Sequence, residues 1–252
     1  MQINAERLIL NSKKYMYQTH KTYIKPSMRM LDLINENPSL LLLMEYFEID
    51  HAVNDMTVQE LCRKNKIDLD VFLIFSNLYN DFHPNLQEVM GTDLDVQVII
   101  KFLKNSHNYY KNDKYPEIKQ YINQLYNHQN SSDVKRVEVF FNDYFNEVLE
   151  HLDYEDKVAF PYFKQLSEQK VDIKKCVFSS NEYRVHHTDI ETKLSDLKNL
   201  LLKHISLNKD YILRRKLLSA LFELERNLNI HSIIEEVILL PLIEEIENKL
   251  KR

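Results

Sequence analysis

The residues with the clearest chemical potential come in two copies of one pattern. His151, Glu155 and Pro161 are spaced as His231, Glu235 and Pro241 are, a His-x-x-x-Glu pair followed by a proline six positions on. On an α-helix, residues four apart lie one turn above each other on the same face, so each copy can aim an imidazole and a carboxylate at one point. Two such helices facing each other across a bundle core can enclose two metal ions, iron or manganese, between nitrogen and oxygen ligands. A di-metal helical bundle is therefore the expectation.

Further histidines surround the repeat: His107, His128, the doublet His186-His187, and His204. A nitrogen-rich di-iron site needs about five imidazoles and two bridging carboxylates. His107, His128, His151, His187 and His231 with Glu155 and Glu235 would supply that set. The set carries a geometric condition. His107 and His128 are 21 residues apart, about 31 Å on one straight helix at 1.5 Å per residue, too far to share a cluster. The chain must turn between them, and Asn112 to Pro116 is the place, because the residue before a proline is driven out of the helical region. An unbroken helix from His107 to His128 would refute this. Glu191 makes a third His-x-x-x-Glu pair with His187, but no proline follows it, so it is read as lying beside the site or solvated. His204, about 25 Å beyond His187 along the same helix, should fall outside it. Tyr109, Tyr110 and Tyr154 are read as bundle core and rim.

The elements that must position these groups are helices throughout. One Gly and six Pro in 252 residues leave few breakers. Residues 1–27 read as an N-terminal helical arm. Between 28 and 88 the pattern fits a small helical domain: Asn37-Pro38 opens a helix over Leu40 to Phe47, Thr57-Val58-Gln59-Glu60 is a capping box for a helix to about Asn65, and Asp68 caps Leu69 to Tyr79. Phe82-His83-Pro84-Asn85 and Gly91 mark the boundary. From 92 to 252 come an amphipathic segment from Val96 to Tyr110, a second from Pro116 to about Asn127, and long helices over about 134–169, 181–208 and 210–249. Pro161 and Pro241 fall inside these patterns and should kink or locally end their helices. Antiparallel helices with short loops describe an up-and-down four-helix bundle preceded by a small helical domain, an all-α fold.

Composition narrows the function classes. The net charge of −5 argues against nucleic acid as the main partner. Two cysteines, Cys62 and Cys176, make no disulfide framework, no signal peptide opens the chain, and no apolar run is long enough for a membrane span. A cytoplasmic protein with no membrane partner is expected. No nucleophile–base pair, glycine-rich phosphate loop or zinc-spaced cysteine cluster supports a hydrolase, nucleotide-binding or zinc-finger reading.

The order His107, His128, His151-x-x-x-Glu155, His187, His231-x-x-x-Glu235, with Phe160-Pro161 and Leu240-Pro241 closing the repeats, resembles the hemerythrin-like di-iron proteins. It is most similar to the repair-of-iron-centres family, from about residue 28 onward. The resemblance implies a hemerythrin-like bundle in which those seven residues hold two non-haem iron ions. It implies a role in restoring iron–sulfur clusters damaged by nitric oxide or peroxide. The metal pair would donate iron to client proteins or react with nitric oxide, oxygen or peroxide; an oxygen or nitric oxide sensor is the alternative. The oligomeric state stays open, a homodimer being one option. One departure stands out: family members carry a Cys-Cys pair after an Ile-Asp dipeptide, whereas here Ile49-Asp50 is followed by His51-Ala52-Val53. Cys62 reads as a buried small hydrophobe rather than a replacement thiol.

Overall fold

A computed structural model of the chain describes residues 21–129, 132–170, 178–186, 191–203 and 210–251. Among these the regular structure is helical, and no strand is formed beyond one isolated bridge between Arg29 and Thr57. The chain divides into two compact units, Met1–Asn85 and Leu86–Arg252.

In the first unit, helices α1 (Met30–Glu36), α2 (Leu40–Tyr46), α3 (Val58–Asn65) and α4 (Leu69–Tyr79) enclose a core of Leu33, Leu43, Met44, Leu61, Phe72 and Phe75. The caps expected at Thr57 and Asp68 are formed, whereas Leu40–Tyr46 starts after Ser39 without a side-chain cap, Asn37 instead ending α1. The Thr57 side chain accepts the Glu60 N–H at 3.3 Å while Glu60 accepts the Thr57 N–H at 2.9 Å, and Asp68 accepts the Val71 N–H at 2.9 Å. Buried asparagines tie the segment before α1 to α4: Asn77 pairs with both backbone groups of Ile24, at 2.7 and 3.1 Å. His51 and Ala52, where the resembled family has its thiol pair, are exposed, and His51 Nε2 lies 3.1 Å from the Leu41 carbonyl. Cys62 is buried in α3, and burial first, with Asp68 adding, pushes its thiol up to about 12.

The second unit opens with α5 (Leu86–Met90) and contains three long helical runs. The first joins α6 (Val96–Tyr109) to α7 (Tyr115–Gln129), the second α8 (Ser132–Tyr154) to α9 (Phe160–Ser167), the third α12 (Tyr211–Ile233) to α13 (Leu240–Leu250). Between the second and third lie α10 (Ser180–His186) and α11 (Glu191–Lys203). The end of the first run, α7, packs on the starts of the other two, α8 and α12, while α9 packs on α6 and α13. The first run is therefore antiparallel to the second and third. No described helix is long and apolar enough to cross a membrane.

Each run passes through a π-helical turn at its centre, over Tyr110–Lys114, Glu155–Ala159 and Ile234–Leu239. In every case the residue before a proline donates its N–H five residues back: Tyr115 to Tyr110, Phe160 to Glu155, Leu240 to Glu235. A proline in a regular helix removes a donor and drives its ring against the carbonyl four residues earlier. The wider turn accommodates that ring, so Pro116, Pro161 and Pro241 neither end nor break their helices. Two expectations from the sequence are thereby corrected. The helix runs unbroken from His107 to His128, and the turn expected at Asn112 to Pro116 does not exist.

The alignment of the three wide turns also shows a copy of the motif that chemistry had hidden. Ser106, Tyr110 and Pro116 stand in the same spacing as His151, Glu155, Pro161 and His231, Glu235, Pro241.

Candidate metal centre

The wide turns bring the polar groups of the second unit together. His107 lies near the end of α6, His231 near the end of α12, Glu155 opens the second wide turn, and Glu235 sits in the third. One ligand atom from each of His107, Glu155, His231 and Glu235 lies within 4.8 Å of the others. These residues are 1%, 0%, 5% and 1% exposed. Within this group His107 Nε2 is 3.4 Å from Glu155 Oε2, His231 Nε2 is 3.1 Å from Glu235 Oε1, and the two Nε2 atoms are 3.4 Å apart.

The surrounding hydrogen bonds decide which nitrogens carry protons. His107 Nδ1 is 3.0 Å from Asp156 Oδ1, whose other oxygen accepts from Lys111 at 3.1 Å. Burial alone would raise the Asp156 carboxyl, but the His107 hydrogen bond and the Lys111 charge outweigh it and hold the group at about 2. An ionised carboxylate only accepts, so His107 must donate from Nδ1. Burial, the largest influence, pushes the His107 imidazolium below its ordinary value, and the neutral ring has its Nε2 lone pair aimed into the group. For His231 the partner is Ser106: its hydroxyl donates to the Leu103 carbonyl at 2.7 Å, so its oxygen is left to accept from His231 Nδ1 at 2.9 Å. His231 Nε2, too, presents a lone pair in the neutral ring.

Two imidazole Nε2 atoms 3.4 Å apart, beside two buried carboxyl groups, bring four metal-ligating atoms to one place. A divalent cation can take one atom from each of the four at once, and His and carboxylate oxygen are the donor set that first-row transition metals take. The Nδ1 partners, a carboxylate for one ring and a hydroxyl for the other, are the contacts that fix the tautomer of metal-ligating histidines. These four residues could hold a metal ion. Apolar rings close the surroundings: Phe160 stacks on His107 with centroids 5.5 Å apart, and Tyr110 meets His231 edge-on at 5.8 Å. Compared with protein-family models and with curated proteins, the sequence matches none.

The other residues expected as ligands do not share one fate. His151 is 9% exposed and its Nε2 lies 3.2 Å from Glu155 Oε1, on the far side of that carboxylate from His107. Glu155 thus presents one oxygen to the four-residue group and the other to His151. His128 stands apart: its side chain is 56% exposed, it pairs with Asp210 at 3.2 Å, and the unbroken helix separates it from His107. The structure does not bring it to the group. His187, His204 and Cys176 lie outside the described residues, and Glu191 begins α11.

Sequence reasoning passed over Asp156, Ser106 and Tyr183. Tyr183, on α10, donates its hydroxyl to Glu155 Oε1 at 2.8 Å. Burial first, and then the Glu235 and Glu155 carboxylates, push that phenol far above its ordinary range. Ser106 could have been found from the third copy of the spacing, and Asp156 from its place directly after Glu155. Tyr183 has no such signal, because α10 repeats nothing in the other helices.

Proposed function

We propose that the second unit is a hemerythrin-like four-helix bundle holding two iron ions, and that the protein acts in the repair of iron–sulfur clusters damaged by nitric oxide or oxidants. The observation that carries the metal reading is the convergence of two buried histidine Nε2 atoms, 3.4 Å apart, and two buried carboxyl groups within 4.8 Å of one another. His107, His231, Glu235 and Glu155 Oε2 would hold one ion. Glu155 Oε1 and His151 would begin a second position, to which His187, the residue directly after α10, would add a third ligand. His128 has no part in it. Mixed imidazole and carboxylate ligands suit iron, and carboxylates shared between helices are how bundle proteins hold metal pairs. Bound iron would supply the electron-transfer chemistry and the affinity for nitric oxide or oxygen. The chain supplies the rest: Asp156 and Ser106 orient the two rings, Phe160 and Tyr110 exclude water, and the wide turns aim the glutamates inward. The resemblance to repair proteins favours iron and cluster repair over other uses of the same ligands. With His51 and Ala52 at the thiol position and Cys62 buried, no step of that repair is assigned to a thiol of the first unit.

The test is anaerobic reconstitution with ferrous iron followed by metal analysis. About two ions per chain are expected, with loss of both in Glu155→Ala, loss of at least one in His231→Ala and full retention in His128→Ala. Failure of the wild type to bind iron refutes the reading. An iron donor should release its metal on reduction in the presence of a chelator, whereas a sensor should retain it.

A further inference from the structure

The two oxygens of Glu155 are not equivalent, and the chain itself distinguishes them. Oε2 faces His107 Nε2 at 3.4 Å, whereas Oε1 receives the Tyr183 hydroxyl at 2.8 Å and lies 3.2 Å from His151 Nε2. Glu155 is fully buried, so this donor bears on how its carboxylate is turned. Tyr183 is itself fixed. Its ring is 1% exposed and packs edge-on against Phe163, with centroids 5.4 Å apart.

The helix that carries Tyr183 is held from its first residue by a second buried carboxylate. Glu247 on α13, 3% exposed, accepts the Ser180 backbone N–H at 2.9 Å, the Ser180 hydroxyl at 2.9 Å and the Tyr162 hydroxyl at 3.0 Å. An acceptor at a helix start satisfies a backbone donor that has no partner within the helix. A path of contacts therefore runs from Glu247 through Ser180 and Tyr183 to Glu155, drawn from α13, α10 and the second wide turn.

We propose that Tyr183 is a positioning residue for the metal ligand Glu155, its hydroxyl holding Oε1 so that Oε2 turns toward His107, His231 and Glu235, and that Glu247 sets this orientation by anchoring α10. The inference rests on the metal-holding reading above. It assigns Tyr183 a hydrogen bond to the ligand and no bond to the metal.

The experiment uses the full-length chain, stripped of metal and titrated anaerobically with ferrous iron against a colorimetric chelator. It compares wild type, Tyr183→Phe, Glu247→Gln and the double variant. Tyr183→Phe keeps the ring and should keep helix content, while binding iron roughly 10–100-fold more weakly, as loss of a ligand-orienting contact does elsewhere. The visible spectrum of the cobalt(II)-loaded protein, which reports coordination rather than folding, should shift in the same variant. Glu247→Gln should weaken binding too, and the double variant should bind no more weakly than Tyr183→Phe, because both losses pass through the Tyr183 hydroxyl. Wild-type affinity and an unshifted cobalt spectrum in Tyr183→Phe would overturn the proposal. So would a phenolate-to-iron charge-transfer band in the ferric wild type that disappears in Tyr183→Phe, since the phenol would then be a ligand. Should Tyr183→Phe not fold, Glu247→Gln decides: weakened binding with intact helix content supports the path, unchanged binding overturns it. A wild type that binds neither metal would bring down the metal reading itself; metal binding that Tyr183→Phe leaves untouched brings down this inference alone.

Discussion

Replacing Asp156 by alanine should destabilise the protein by on the order of 2 kcal/mol at neutral pH. With the carboxyl held at about 2 against an ordinary 3.8, linkage at 1.36 kcal/mol per pH unit gives ~2.4 kcal/mol. The Asp156 side chain is 22% exposed, and screening by solvent brings this nearer ~2 kcal/mol. The same figure follows from the other partner: the variant strands the His107 Nδ1–H in a site where that ring is 1% exposed, and an unsatisfied buried donor costs about 1–3 kcal/mol. These are two accounts of one interaction and do not add. Lys111 is not stranded, because it also pairs with Asp153 at 3.2 Å. For a unit of this size the loss corresponds to a melting temperature lower by about 4–8 °C. The sign with pH follows from the depressed carboxyl: its contribution is complete above the ordinary carboxyl value and is lost as pH falls toward 2. Urea unfolding of metal-free wild type and Asp156→Ala should thus show a gap that is constant from pH 7 to about 5 and narrows below 4. Asp156→Asn, which retains an acceptor for His107 but not the charge, should fall between them. A variant within about 0.5 kcal/mol of wild type at pH 7, the scatter of an ordinary surface substitution, would refute the reasoning, as would a gap that does not change with pH.

Other consequences can be checked on the same protein. Saturating metal, at a concentration 100 times the dissociation constant, should stabilise the chain by ~2.7 kcal/mol, a rise of about 5–11 °C in melting temperature that chelator reverses and Glu155→Ala abolishes. Pro161→Ala and Pro241→Ala restore an N–H that can bond four residues back, letting the wide turns relax to regular helix; far-ultraviolet circular dichroism should be unchanged or stronger while metal affinity falls, and unchanged affinity would show that the turns do not aim Glu155 and Glu235. Cys62, with its thiol near 12, should resist alkylation at pH 8 in the folded protein and react promptly in denaturant, as peptide mapping by mass spectrometry would show.

What was legible in the sequence followed from periodicity and capping. The His-x-x-x-Glu spacing converts directly into a shared helix face, so His231 with Glu235, and His151 with Glu155, could be paired without coordinates. Thr57 with Glu60 and Asp68 with Val71 announced helix starts through local hydrogen bonds that depend on nothing distant. The failure at His128 came from applying the rule for the residue before proline to a helix that widens instead. Tyr115 keeps helical dihedrals, with φ −67° and ψ −47°, by bonding back to Tyr110. Ser106 and Tyr110 escaped because they fill the histidine and glutamate positions of the motif with other chemistry. Tyr183 and Glu247 were illegible for a different reason: they meet their partners across 28 and 67 residues of sequence, and nothing local in the chain encodes that meeting.

Each wide turn also amounts to one inserted residue in a helix. Downstream of it the stripe of inward-facing positions restarts about 100° out of phase, the angular step of one residue at 3.6 per turn. Hydrophobic periodicity computed across residues 110–114, 155–159 or 234–239 therefore loses coherence although the helix is continuous. Comparison of this chain with any uninterrupted helix requires a one-residue gap at each of the three places. A gap set even a few positions away would keep the prolines or the acidic residues in register, never both.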